Sequence, residues 1–96
     1  MIKRYDVDMN FIALTNAPGY IAEFVEAVYS IIDMPPKDIK CVPLLDGSVA
    51  VSTINNSVLV EPGNVLMYYP DCGRISTMRS KDFDEYHENL LNNYEV

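Results

Sequence analysis

The chain has 96 residues, 49% of them apolar, enough for one modest hydrophobic core and too few for a second. Fourteen acidic residues against seven basic ones give a formal net charge of -7, a far field that repels duplex nucleic acid and anionic membrane surfaces. That charge does not exclude a small phosphorylated ligand, because a few Arg or Lys around one site suffice to hold it.

One domain spanning residues 1–96 is therefore expected. Its fold class is α+β: a small antiparallel β-sheet, a meander, packed with one main helix and a short C-terminal helix. Val7, Met9, Phe11 and Ala13 alternate with Asp6, Asp8 and Asn10, so the first strand is placed over 6–15 with the apolar set facing inward. Asn16-Ala17-Pro18-Gly19 reads as a helix start, Asn16 capping and Pro18 in the first turn. Ile21, Phe24, Val25, Val28 and Ile32 recur at helical spacing on one face, with Glu23 and Glu26 opposite. Pro35 and Pro36 end this helix near Asp33, leaving 33–38 as a linker.

From Ile39 to Arg79 short apolar runs are separated by turn residues, as successive antiparallel strands require: 40–45, 49–53, 58–60, 65–69 and a last strand after Gly73. Asp46-Gly47 is a strong hairpin signal, Gly73 serves the last hairpin in the same way, and Pro43 assigns its strand to a sheet edge. Ser80, with Asp82 and Asp84 behind it, starts a short final helix carrying Phe83, Tyr86 and Leu90.

Catalytic and metal chemistry find little footing in this pattern. Cys41, Cys72 and His87 stand at no CxxC or HExxH spacing, and neither GxxxxGK nor GxGxxG occurs, so no metal and no cofactor is expected. The single His lies in an acidic helical segment with Asp82, Asp84, Glu85 and Glu88, away in sequence from either Cys, and that segment reads as a solvated helix face. The chain is read as a binding protein and not an enzyme. MIKRYDVDMN has a basic start with no apolar run behind it, and no stretch approaches the roughly 20 apolar residues that span a bilayer. A cytoplasmic protein with reduced thiols and no membrane contact is expected.

The last hairpin carries most of the functional signal. Pairing parity puts Val65, Met67, Tyr69, Arg74, Ser76 and Met78 on one face and Leu66, Tyr68, Ile75, Thr77 and Arg79 on the other. Neither face is plainly polar, so the helix should cover one, and a loop, a second subunit or a ligand the other. A homo-oligomer, dimer or tetramer, follows as an expectation. Tyr68, Tyr69, Arg74 and Arg79, with Ser76 beside Arg74, are the densest meeting of aromatic and cationic side chains, the combination that stacks on bases and pairs with phosphates. Lys3, Arg4 and Tyr5 form a second, weaker group of the same kind.

Ile21-Ala22-Glu23-Phe24, Asp46-Gly47, Glu61-Pro62-Gly63-Asn64-Val65-Leu66, Gly73-Arg74-Ile75 and the Phe83, Tyr86 pair follow one another in an order that resembles a group of very short phage-encoded proteins. Asn64 stands where that group has Asp, and the aromatic after Phe83 is displaced by one position. Some proteins that look like this are oligomeric anti-CBASS sponges, which sequester cyclic nucleotide signals of bacterial antiviral systems without cleaving them. The resemblance implies that role in the infected cell, with a cyclic nucleotide as ligand. The alternative is an acidic accessory protein that occludes a basic host protein, as the net charge suggests.

Overall fold

The computed structural model describes residues 9–15 and 19–85. These form β1 (Asn10–Ala13), α1 (Tyr20–Ile31), a 3-10 turn at Pro36–Asp38, β2 (Ile39–Pro43), β3 (Val49–Thr53), β4 (Ser57–Val60), β5 (Asn64–Tyr69) and β6 (Arg74–Arg79), followed by helical residues 80–85. The α+β class and the antiparallel pairing agree with the sequence pattern. The strands, however, divide into two three-stranded sheets, ordered β1-β5-β6 and β2-β3-β4. Pro43 does lie on an edge strand, β2.

Local chemistry accounts for the elements. Phe24 and Val28 are the buried residues of α1, joined by Ile32 just beyond it, while Ile21 and Val25 flank this stripe and Glu23 and Glu26 face water. The helix begins later than the sequence suggests. Gly19, not Asn16, takes the cap position, and its φ of 77° lets the chain turn in without a side-chain cap. Asn16 and Pro18 lie outside the described residues. At the other end the Asn10 carboxamide donates to the Ile31 carbonyl at 3.1 Å, supplying one of the acceptors' partners that a helix terminus lacks.

The β2–β3 connection is a three-residue loop, because the Leu44 N–H donates to the Ser48 carbonyl at 2.8 Å and the Gly47 N–H to the Leu44 carbonyl at 3.1 Å. Gly47 has a φ of 91°, as the left-handed position of such a loop demands, and Asp46 does not share that conformation. The Ser48 N–H donates to the Asp46 carboxylate at 2.9 Å and holds it below the usual carboxylate range. The bond therefore supports the loop at neutral pH and is lost as the pH falls through that lowered value.

One core joins α1 to both sheets. Phe24, Val28 and Ile32 meet Leu66, Tyr68 and Ile75 of one sheet and Ile39, Val49, Val51 and Val60 of the other, with Leu14 among them. The sheets are also joined by polar bonds. Thr53 Oγ1 accepts the N–H groups of Asn55 (3.0 Å) and Asn56 (3.3 Å), folding the β3–β4 turn back toward β6. There the Asn56 carboxamide donates to the Ile75 carbonyl at 2.8 Å and accepts the Ile75 N–H at 3.0 Å, while Asn55 donates to the Gly73 carbonyl at 2.7 Å. Gly73 has a φ of 70°, and a Cβ there would come within 2.7 Å of the Asn55 amide nitrogen. The turn calls for glycine here, and a side chain would also push the Asn55 carboxamide off the Gly73 carbonyl.

Phe24→Ala is expected to cost about 3–5 kcal/mol, a large share of the 5–15 kcal/mol typical of a small domain, and to leave much of the chain unfolded. Asn56→Ala should cost about 1–3 kcal/mol, because it strips both partners from the Ile75 peptide groups. Urea unfolding followed by circular dichroism checks both. An Asn56→Ala chain as stable as the parent would mean that the junction between the sheets does not depend on that amide.

Candidate functional site

The parity of the last hairpin is observed as expected: Tyr69 opposes Arg74, Met67 opposes Ser76 and Val65 opposes Met78, alternating with Tyr68 opposite Ile75 and Leu66 opposite Thr77. What the two faces do is now distinct. The Leu66, Tyr68 and Ile75 side is the core side, under α1. Tyr68 is only 3% exposed among these residues, so it belongs to the core and offers no ring to a ligand. Its assignment to a stacking site is corrected accordingly.

The other face is built across all three strands of that sheet. β1 pairs with β5 so that Phe11 opposes Met67 and Ala13 opposes Val65. Phe11, Met67 and Ser76 thus form one cross-strand row, and Ala13, Val65 and Met78 the next. Tyr69 and Arg74 make the row at the turn end. Here β1 departs from the sequence expectation. Its Met9, Phe11 and Ala13 side lies on this outer face, whereas Ile12 and Leu14 join the core. Both sides of the strand are apolar in part, and the alternation alone did not say which side α1 would cover. The portion of the expected strand at 6–8 lies outside the described residues.

Val65 and Met67 are buried on this face beneath Phe83, which the helical residues 80–85 bring back over the sheet. The C-terminal segment of the same chain therefore supplies part of the cover. Phe83 lies against Phe11, ring centroids 4.7 Å apart and tilted by 51°, an arrangement favourable for two π systems. Phe11 nevertheless remains 51% exposed, Tyr69, Ser76 and Met78 are half-buried, and Arg74 is exposed. The Tyr69 hydroxyl points along the face to Met67 Sδ at 3.5 Å.

Among the predicted site residues, Tyr69, Arg74 and Ser76 are thus brought together on the outer face. Arg79 is not with them. It opposes Asn64 at the far end of the strand, and its Nε pairs with Asp82 Oδ2 at 3.0 Å. Lys3, Arg4 and Tyr5 lie outside the described residues, as do Tyr86, His87, Glu88 and Leu90. Phe11 and Phe83 are contributors that the reading of the hairpin alone missed, whereas Met67 stood on the expected face without being named as a site residue. The available signal was the Met9, Phe11, Ala13 alternation, an aromatic row needing a surface.

Among the described residues no group of three or more His, Cys, Asp or Glu could hold a metal ion, and no helix is long and apolar enough to cross a membrane. Arg74 makes no ion pair among the described residues. The geometry offers an apolar aromatic platform with a guanidinium at its open end and the Ser76 hydroxyl one row in, which can stack on a planar ring and pair with an anion. Comparison of the chain with protein-family models, curated proteins and solved structures finds no match.

The two thiols are both free and differ in setting. Cys72 is exposed in the hairpin turn below Tyr69, whereas Cys41 is half-buried on the core side of β2, where burial pushes its thiol pKa up. Less thiolate at a given pH and poorer access act in the same direction. In the native protein an alkylating reagent should therefore modify Cys72 well before Cys41, and urea should abolish the difference. Mass spectrometry of a labelling time course reads this, and equal native rates would contradict the placement of β2.

Proposed function

We propose that this chain is a non-catalytic binding protein that sequesters a cyclic nucleotide on the outer face of the β1-β5-β6 sheet, as the resemblance to small phage anti-CBASS proteins implies. The observation that carries the reading is the cross-strand pair Tyr69 and Arg74, which sets an aromatic ring and an exposed guanidinium side by side at the open end of an apolar face. Ser76 stands in the adjacent row beside Met67 and the exposed Phe11.

Each part has a ligand counterpart. A base stacked on an aromatic side chain gains about 1–3 kcal/mol, and a charged hydrogen bond to phosphate about 1.5–3 kcal/mol. The net charge of -7 opposes approach of any anion, so the cation must act at short range, where Arg74 is and where acidic side chains of the same sheet face are not found among the described residues. Capture without turnover is the chemistry such a face supports, since stacking and charge pairing hold a ligand without activating a nucleophile against it.

Calorimetric titration with a panel of cyclic di- and trinucleotides, run alongside melting curves, tests the reading. At least one nucleotide should bind and raise the melting temperature, and should be recovered intact after denaturation. Arg74→Ala should weaken that binding roughly tenfold to a hundredfold without unfolding the protein. Arg79→Ala should leave it unchanged, because that residue opposes Asn64 at the far end of β6 from the Tyr69–Arg74 row. No stabilisation by any nucleotide, or an Arg74→Ala variant that binds as tightly as the parent, would overturn it.

A further inference from the structure

We propose that the outer face of the β2-β3-β4 sheet is the docking surface for a second copy of this chain, independently of what the other sheet binds. The inner side of this sheet is accounted for: Val49, Val51 and Val60 are buried in the core, and Cys41 and Val58 pack against it. On the outer side the register aligns Val42, Ala50 and Leu59 into one apolar row crossing all three strands. Val42 is 39% exposed and Leu59 46% exposed, and Leu44 extends the patch beyond Val42. An exposed apolar row crossing all three strands, in an acidic chain with so few residues to bury, marks an interaction site.

The charges around this row select the occupant. Next to it lies the row Lys40, Ser52 and Ser57, the two serine hydroxyls hydrogen-bonded to each other at 3.0 Å. On the opposite side of the apolar row, Glu61 follows Leu59 by two residues and is exposed. Lys40 is on β2 and Glu61 follows β4, so this cation and this carboxylate occupy diagonally opposite corners of the face. Asp46, at the hairpin tip, has its carboxylate turned back onto the Ser48 N–H.

A face with a central apolar row and opposite charges at opposite corners is complementary to itself. A two-fold axis lying in the interface along the other diagonal brings Lys40 of one copy over Glu61 of the second, and Glu61 over Lys40, while the apolar rows cross at the centre. Two chains of net charge -7 repel each other elsewhere, so the contact falls where a cation can meet a carboxylate twice. Packed this way, the dimer leaves the β1-β5-β6 outer faces of both copies open.

Sedimentation velocity across a concentration series tests the proposal on the intact chain. The parent should be a dimer at tens of micromolar. Lys40→Glu should weaken dimerisation roughly tenfold, since two ion pairs are replaced by two like-charge contacts. Lys40→Glu combined with Glu61→Lys should restore it, whereas Lys40→Glu combined with Lys81→Glu and two acid-to-Lys changes away from this face, which return the same net charge, should not. Leu59→Asp should give a folded monomer, with circular dichroism confirming the fold. Should Leu59→Asp fail to fold, the charge exchange decides alone, because both of its positions are exposed. A parent that stays monomeric at tens of micromolar would overturn the proposal, as would a dimer indifferent to both Lys40→Glu and Leu59→Asp. Arg74→Ala should not change the mass at all, which separates this result from the ligand test.

Discussion

The carboxamide of Asn56 bonded to both peptide groups of Ile75 is the constraint on which the arrangement of this molecule turns. A side-chain amide presents a donor and an acceptor at the spacing of a peptide, so Asn56 occupies the free edge of β6 as a neighbouring strand would. It does so from the other sheet. Asn55 adds a bond to Gly73 at the hairpin, and Thr53 holds both asparagines in the conformation that reaches across. With that edge taken and the turn seated, Ile75 is directed into the core and the two sheets close on α1 together. An uncovered β6 edge would instead offer its peptide groups to another chain.

Once the inner face of β1-β5-β6 is committed to that core, the outer face is the side left to interact. Its cover is incomplete. Phe83 returns over Val65 and Met67, yet Phe11 and Arg74 remain accessible at the margins. The same division of sides applies to β2-β3-β4, whose inner valines complete the core and whose outer row stays apolar. A chain of 96 residues with one substantial helix cannot cover four sheet faces. The two outer faces differ in chemistry: one combines aromatic rings with a guanidinium, the other sets aliphatic residues between opposite charges. They are suited to different partners.

Much of this was legible in the sequence where the signal is local. The stripe through Phe24, Val28 and Ile32, the Asp46-Gly47 loop, the edge position of Pro43 and the parity of the last hairpin follow from spacing and backbone preference. The split into two sheets was not legible, because strand pairing beyond adjacent hairpins depends on which residues reach across, and Asn55-Asn56 reads in sequence as an ordinary turn. Nor could parity say which side of β5 and β6 would lie under α1. Both sides carry apolar residues, and only the packing of Tyr68 against the core placed Tyr69 and Arg74 outside. Arg79 looked equivalent to Arg74 until its pairing with Asp82, within one turn of the final helix, set them apart.

The central claim is that one side of the β1-β5-β6 sheet builds the core and the other captures ligand. The most direct measurement is an amide chemical-shift map of the labelled protein titrated with the cyclic nucleotide that binds in calorimetry. The account predicts perturbations concentrated at Phe11, Met67, Tyr69, Arg74 and Ser76, with the amides of β3 and β4 unmoved. Shifts centred on Val42, Ala50 and Leu59, with the Tyr69–Arg74 row silent, would contradict it.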